Sequence, residues 1–238
     1  FNSKNRFSFS IDKNFKVTNL ALDSNIQVNE SEYKIPNFLN NYSEIKNDKI
    51  KLKNHKINYN ITNNKLKING SGKIKIQKNF DDVKYNIDFK DEDFILDSQL
   101  KLSELRLSSQ EYLKKFIPNL KDITTLKDQT IDINFNKKEL LVKGQGKIKF
   151  SNEFEDIAFK VSKIKNKFDF NTQLNLNETL LKIDFLNFEK NPKLKSQIKI
   201  SGSYDAQNLL YFKNLSITDK NNKLIIKDIF IDSNNLIE

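Results

Sequence analysis

Gly70-Ser71-Gly72-Lys73-Ile74-Lys75 recurs as Gly144-Gln145-Gly146-Lys147-Ile148-Lys149, so the numbering is offset by 144 − 70 = 74. The offset holds without a gap beyond the two hexads. Phe80 meets Phe154, Tyr85 meets Phe159, Phe94 meets Phe168, and Gln99-Leu100 meets Gln173-Leu174. The stretches 70–107 and 144–181 share about 13 identities in 38 positions, which marks a tandem repeat. Where identity fails, one apolar residue often replaces another, as Val83 with Ile157 and Ile87 with Val161. A phosphate loop would need its glycines between a strand and a helix. Here they run into Lys-Ile-Lys-Ile and Lys-Ile-Lys-Phe, which is more strand. Glycine inside a strand marks a bulge or a close backbone approach. Gly70, Gly72, Gly144 and Gly146 are therefore read as sheet-bending positions, with Gly202 as a third place of this kind.

The repeat extends upstream. Leu22–Val28 aligns with Leu96–Leu102 at the same offset, and Glu30, Glu104 and Glu178 fall in register. One strand is thus seen three times, near 20–30, 94–104 and 168–178. The second unit reads as strands near 129–136, 139–150, 154–163, 167–176 and 179–188, because apolar and polar residues alternate with a period of two. Their inward candidates include Ile133, Phe135, Ile157, Phe159, Val161, Phe168, Phe170, Leu174, Leu176, Ile183 and Phe185. The first unit supplies Ile87, Phe89, Phe94, Leu96, Leu100 and Leu102. Asn136-Lys137-Lys138, Asn152-Glu153 and Lys165-Asn166-Lys167 carry turn chemistry, and Asn63-Asn64 takes that place in the first unit. Phe38, Leu39, Tyr42 and Ile45 sit at helical spacing behind Pro36. Tyr112, Leu113 and Phe116 repeat that pattern, after Ser108 and Ser109 as N-caps and before Pro118 as a stop. One unit is therefore a short helical crossover plus five antiparallel strands. The chain divides into a partial unit 1–32, units 33–107 and 108–181, and a strand meander 182–238, all in one continuous segment.

Composition narrows the function. Only Ala21, Ala158 and Ala206 are alanines, and Ile and Phe abound, which disfavours a helical bundle and favours strands. The net charge of +10 invites a nucleic-acid reading. Arg6 and Arg106 are the only arginines, though, and arginine is the side chain suited to bidentate phosphate and base contacts. The lysines alternate with apolar residues, as Lys49, Lys51 and Lys53 with Ile50 and Leu52, which describes the wet face of a strand, so no nucleic-acid partner is expected. His55 is the single histidine and there is no cysteine, so disulfides and the usual zinc sites are excluded. His55 lies in a Lys/Asn-rich strand with no base or nucleophile beside it and reads as exposed and inert. Asp81-Asp82 and Asp91-Glu92-Asp93 lack the spacing of a calcium loop and read as turns. No catalytic residue, metal or cofactor is expected. No apolar run approaches the roughly 20 residues of a membrane-spanning helix and no signal peptide is present. The chain begins at Phe1 rather than Met, which reads as a piece of a longer chain with its anchor upstream.

What remains is an apolar face rich in 19 Phe and 7 Tyr. A closed β-sandwich would use them as core, as a structural or interaction module of an envelope or surface protein. A repeating sheet that curves leaves them lining a groove, which marks a binding surface. The expected fold is all-β: an extended, strongly curved antiparallel sheet, a U-shaped β-groove of repeated five-strand units with short helical crossovers. This unit resembles the repeating β-groove of bridge-like lipid transfer proteins. Phe116-Ile117-Pro118-Asn119-Leu120, Gly144-Gln145-Gly146-Lys147-Ile148, Phe154–Ile157 and Gly202-Ser203-Tyr204 look like the AsmA-like superfamily, in particular its YhdP/TamB type. The resemblance implies a non-enzymatic periplasmic protein anchored in the inner membrane by an N-terminal helix outside this chain. It implies that phospholipid, or another acyl-chain lipid, passes along the groove toward the outer membrane, with other envelope proteins as partners. The inward residues named above would then face lipid.

Overall fold

The computed structural model describes residues 1–34, 49–62, 65–90, 93–205, 210–220 and 222–231. Its strands are β1 (Asn2–Ile11), β2 (Val17–Lys34), β3 (Lys49–Thr62), β4 (Lys65–Lys75), β5 (Phe80–Lys90), β6 (Asp93–Ser108), β7 (Ile123–Asn136), β8 (Glu139–Lys149), β9 (Glu155–Ile164) and β10 (Lys167–Leu176). They continue with β11 (Leu181–Ile183), β12 (Phe188–Lys190), β13 (Ser196–Tyr204), β14 (Leu210–Thr218) and β15 (Lys223–Ile231). Thirteen of them form one all-antiparallel sheet in the order β1 to β10, then β13 to β15. The sheet is curved and does not close into a barrel. The sheet is a meander in which each strand lies beside its sequence neighbour, except that β10 pairs with β13 across the β11–β12 hairpin.

The sequence period is also the structural one. β2, β6 and β10 occupy equivalent places, as do β3 and β7, β4 and β8, and β5 and β9. Each period therefore adds four strands to the sheet, not five. The segment expected as a fifth strand, 179–188, forms β11, a 3₁₀ turn over Asp184–Leu186, and the start of β12. These strands pair with each other instead of joining the sheet. The helical crossover expected at 112–117 is a five-residue 3₁₀ turn over Glu111–Lys115. It has no side-chain cap, and the Ser109 hydroxyl hydrogen-bonds Thr124 instead. The earlier crossover at 35–46 and the Asn63-Asn64 turn lie outside the described residues. The other turn signals hold: Asn136 Oδ1 accepts the backbone N–H of Lys138 and of Glu139, and Lys165 takes a positive φ of 54°.

The bend of the sheet repeats too. β3 and β7 each carry an extra residue against the next strand, between Lys53 and Lys56 and between Lys127 and Thr130. Asn54 and Asp128, equivalent positions of successive repeats, take φ of 54° and 51° there. A bulge of this kind bends and twists its strand. It sits opposite Gly72 and Gly146, not on them. The glycines do a different job. A Cβ on Gly70 would lie 2.2 Å from the Tyr85 ring, and one on Gly144 the same distance from Phe159. A Cβ on Gly72 would meet the His55 ring at 2.3 Å, and one on Gly146 the Gln129 amide at 2.4 Å. In both units the glycines are the floor on which two larger side chains lie.

Candidate functional site

Paired residues in an antiparallel sheet share a face, so the register shows which side chains lie together. One row runs Tyr59, Ile68, Ile87, Leu96, Phe135, Leu140, Lys163, Phe168, Tyr204, Leu210 from β3 across to β14. The neighbouring row passes through Tyr85, Ser98, Ile133, Val142, Val161, Phe170 and Gly202 on the same face. All the candidates on β5, β6, β7, β9 and β10 fall on this one face. Ile183 does not: it belongs to the β11–β12 hairpin and is buried there, 3% exposed. Phe185 lies in the 3₁₀ turn that follows.

Two pieces of the chain fold over part of the apolar face. The crossover between β6 and β7 brings Leu113, Phe116, Ile117 and Leu120, and the β11–β12 hairpin brings Leu181, Ile183, Leu186 and Phe188. Both pack on Ile148, Phe150, Leu176, Ile198 and Ile217, near the ends of β8, β10, β13 and β14. They are tied together by Lys182 N–H donating to the Phe116 carbonyl at 2.8 Å, and to the sheet by Lys121 N–H donating to Phe150 O at 2.9 Å. This is the buried core. At the opposite strand ends, where the tight hairpins lie, no element covers the face among the described residues. Phe89, Phe94 and Phe135 form a ring series, the first pair tilted with centroids 5.8 Å apart and the second edge-on at 5.4 Å. Phe170 packs edge-on to Phe212, and Phe168 lies beside Tyr204. Phe89 and Phe135 remain 36% and 38% exposed. The total accessible surface is 16201 Å², where a compact protein of this mass would have about 11,000 Å². The excess fits a sheet with one layer, not a sandwich.

The face is not wholly apolar. Lys163 stands in the aromatic row, its ammonium 5.2 Å over the Phe168 ring, and Ser98 and Thr172 also lie on it. Two shallow depressions of ≈ 300 and ≈ 340 Å³ involve mainly the other face, with linings that include Lys84, Asp97, Asp132 and Lys143 for the first and Thr130, Gln145 and Asp156 for the second. The apolar face is a wide open surface, not an enclosed pocket.

Several polar residues have places that the sequence reading did not assign. His55 is buried, 2% exposed, on the apolar face, and its Nε2 meets the Lys73 carbonyl at 3.0 Å. Its equivalent in the next repeat, Gln129, donates to the Lys147 carbonyl at 2.8 Å. The expectation of an exposed histidine fails because the bulge turns position 55 inward. Asp81 is likewise no turn residue: it is buried in β5 and accepts the backbone N–H and hydroxyl of Ser103. Asp82 pairs with Lys73 at 2.7 Å and Asp93 with Lys137 at 3.1 Å. Asp91 and Glu92 lie outside the described residues. Glu155, the equivalent of Asp81, is 1% exposed and accepts the backbone N–H of Asn177, Glu178 and Thr179 and the Thr179 hydroxyl. The repeat offset carried the signal for both pairs.

Lys190 closes the same corner. It is fully buried and donates to the carbonyls of Asn177, Thr179 and Asn191. Burial holds its ammonium below the ordinary value of 10.5, opposed by Glu155 and Glu178. Between the depressed value and 10.5 the folded chain binds fewer protons here than the unfolded chain, so this site adds stability as pH rises through that window. Urea unfolding from neutral pH up to 10.5 should show the rise in the wild type, and Lys190→Met should lose it.

Among the described residues no helix is long and apolar enough to cross a membrane, and no group of three His, Asp or Glu is placed to hold a metal. No family model, curated protein or solved structure matches the chain.

Proposed function

We propose that this chain is a non-enzymatic lipid-binding segment of an AsmA-like protein of the YhdP/TamB type. In this reading it carries phospholipid acyl chains along its apolar face between the inner and outer bacterial membranes, from the periplasm, held by an anchor elsewhere in the parent protein. The supporting observation is the continuous apolar face, one layer thick, partly covered by the chain's own lid and open along its aromatic rim. Water against such a surface is costly, and an acyl chain laid on it gains about 0.8 kcal/mol per methylene buried. The head group stays in water beyond the rim. No nucleotide or metal is needed, because the face is apolar over most of its rows and an acyl chain sliding along it passes only isolated polar groups such as Lys163, Ser98 and Thr172.

Mass spectrometry of organic extracts from purified protein tests this. Phospholipid should be recovered from the wild type and fall to background in Phe159→Glu and Phe170→Glu. Phe135→Glu provides the variant most certain to fold, since its side chain is already partly in water. Wild-type protein that carries no lipid, or a folded Phe135→Glu that carries as much as wild type, sinks the reading.

A further inference from the structure

We propose that Lys53 with Lys75, and Lys127 with Lys149, form two equivalent sites for a phosphate group. Lys53 and Lys75 lie 5.5 and 5.7 Å from the centroid of the Phe80 ring. Lys127 and Lys149 lie 5.5 and 5.3 Å from that of Phe154, the equivalent ring of the next repeat. The register puts Lys53, Lys75 and Phe80 on the polar face. In the first repeat the neighbouring lysines are neutralised: Lys51 pairs with Glu32 at 2.6 Å and Lys73 with Asp82 at 2.7 Å. The four ring-bound lysines have no carboxylate within ion-pair distance among the described residues. Glu30 and Glu104 stand directly across from Lys53 and Lys127 and still do not pair with them.

Gathering two like charges beside one ring is unfavourable, and attraction to the ring face offsets only part of it. In each repeat both ammoniums are held within 5.7 Å of one ring centroid. An oxyanion between them turns the repulsion into two charge-assisted hydrogen bonds, which lysine makes as a point charge. The two sites are four strands apart, about 19 Å at the usual strand spacing, so they fill independently, one per repeat. Lipid head groups and free phosphate offer the same oxygens. The inference does not depend on acyl chains occupying the apolar face.

The test uses the full chain with isotope-labelled lysine side chains. Inorganic phosphate is titrated by NMR, and co-sedimentation is measured with phosphatidylcholine vesicles with and without phosphatidylglycerol. Lys53→Gln/Lys75→Gln and Lys127→Gln/Lys149→Gln are compared with Lys84→Gln/Lys160→Gln, which removes the same charge from the polar face away from these rings. Saturable shifts at the four lysines support the sites. Vesicle binding that falls about fivefold per ring-bound lysine removed, with the control pair unchanged, assigns the source as a lipid head group. Saturation by phosphate without vesicle binding assigns it as the free anion. Shifts that never saturate, or equal losses in the control pair, overturn the proposal and leave only bulk charge.

Discussion

Glu155→Ala should destabilise the chain by about 3–5 kcal/mol and lower the melting temperature by about 10 °C. The carboxylate is buried and accepts four hydrogen bonds at 2.8 to 3.1 Å, three of them from consecutive backbone N–H groups at 177–179. Truncation leaves the buried Thr179 N–H and hydroxyl without an acceptor, while the N–H groups of the exposed Asn177 and Glu178 exchange theirs for water. It also removes the larger of the two carboxylate influences on the buried Lys190, leaving Glu178 and the carbonyl partners. The turn at 177–179 launches the β11–β12 hairpin, so its loss loosens the lid from Leu176 and Ile198 as well. Asp81 offers an internal comparison, because it performs the same task one repeat earlier with two bonds to Ser103 alone. Asp81→Ala should cost about 1–3 kcal/mol. Urea melts rank the two, and amide exchange at 177–179 should accelerate in Glu155→Ala before exchange elsewhere. Equal costs for the two variants would contradict the argument.

That pair shows what the sequence could and could not yield. Strand positions were legible wherever alternation was strict: β10 was expected at 167–176 and occupies Lys167–Leu176. The shared apolar face was legible for the same reason, since a period of two puts every second residue on one side. The hairpin at 181–190 was not. Leu181, Ile183 and Phe185 alternate as a sheet strand would. What takes them off the sheet is a long-range bond set, Glu155 to 177–179, and Asn187 in the left-handed conformation at φ 48°. Local pattern carries no trace of either. His55 was misplaced because its neighbours are lysines and asparagines, and the bulge that inverts its side chain is set by Asn54, one residue before it. The equivalence of His55 and Gln129 was available from the offset, though their chemical difference hid it. Whether the apolar face is sealed or open was beyond alternation altogether, because both states have the same period.

Gly202→Ala should be the most damaging glycine substitution, at about 3 kcal/mol, and it separates two ways in which glycine makes room. A Cβ there would stand 2.1 Å from the Tyr211 carbonyl oxygen, 2.8 Å from the Phe170 ring and 3.1 Å from Phe212 Cα. Two of those atoms are backbone of β14, and β14 is held by its own ladder to β13 and β15. Relief requires the strands to part at the irregularity between Ser201 and Gly202, with loss of ladder bonds on either side. Gly70 and Gly144 face only rings, Tyr85 and Phe159. A ring on a half-open face can swing outward, so Gly70→Ala and Gly144→Ala should each cost about 1 kcal/mol. Gly146→Ala falls between, since its Cβ meets the flexible Gln129 amide but also the Asp128 carbonyl at 2.7 Å. Trimming the ring tells the classes apart. Phe159→Leu should recover most of the loss in Gly144→Ala, whereas Phe170→Leu should recover little in Gly202→Ala, because the Tyr211 carbonyl stays in place. Urea melts of the four single and two double variants read out the order. If Phe170→Leu restores Gly202→Ala fully, the obstruction is the side chain and the backbone argument is wrong.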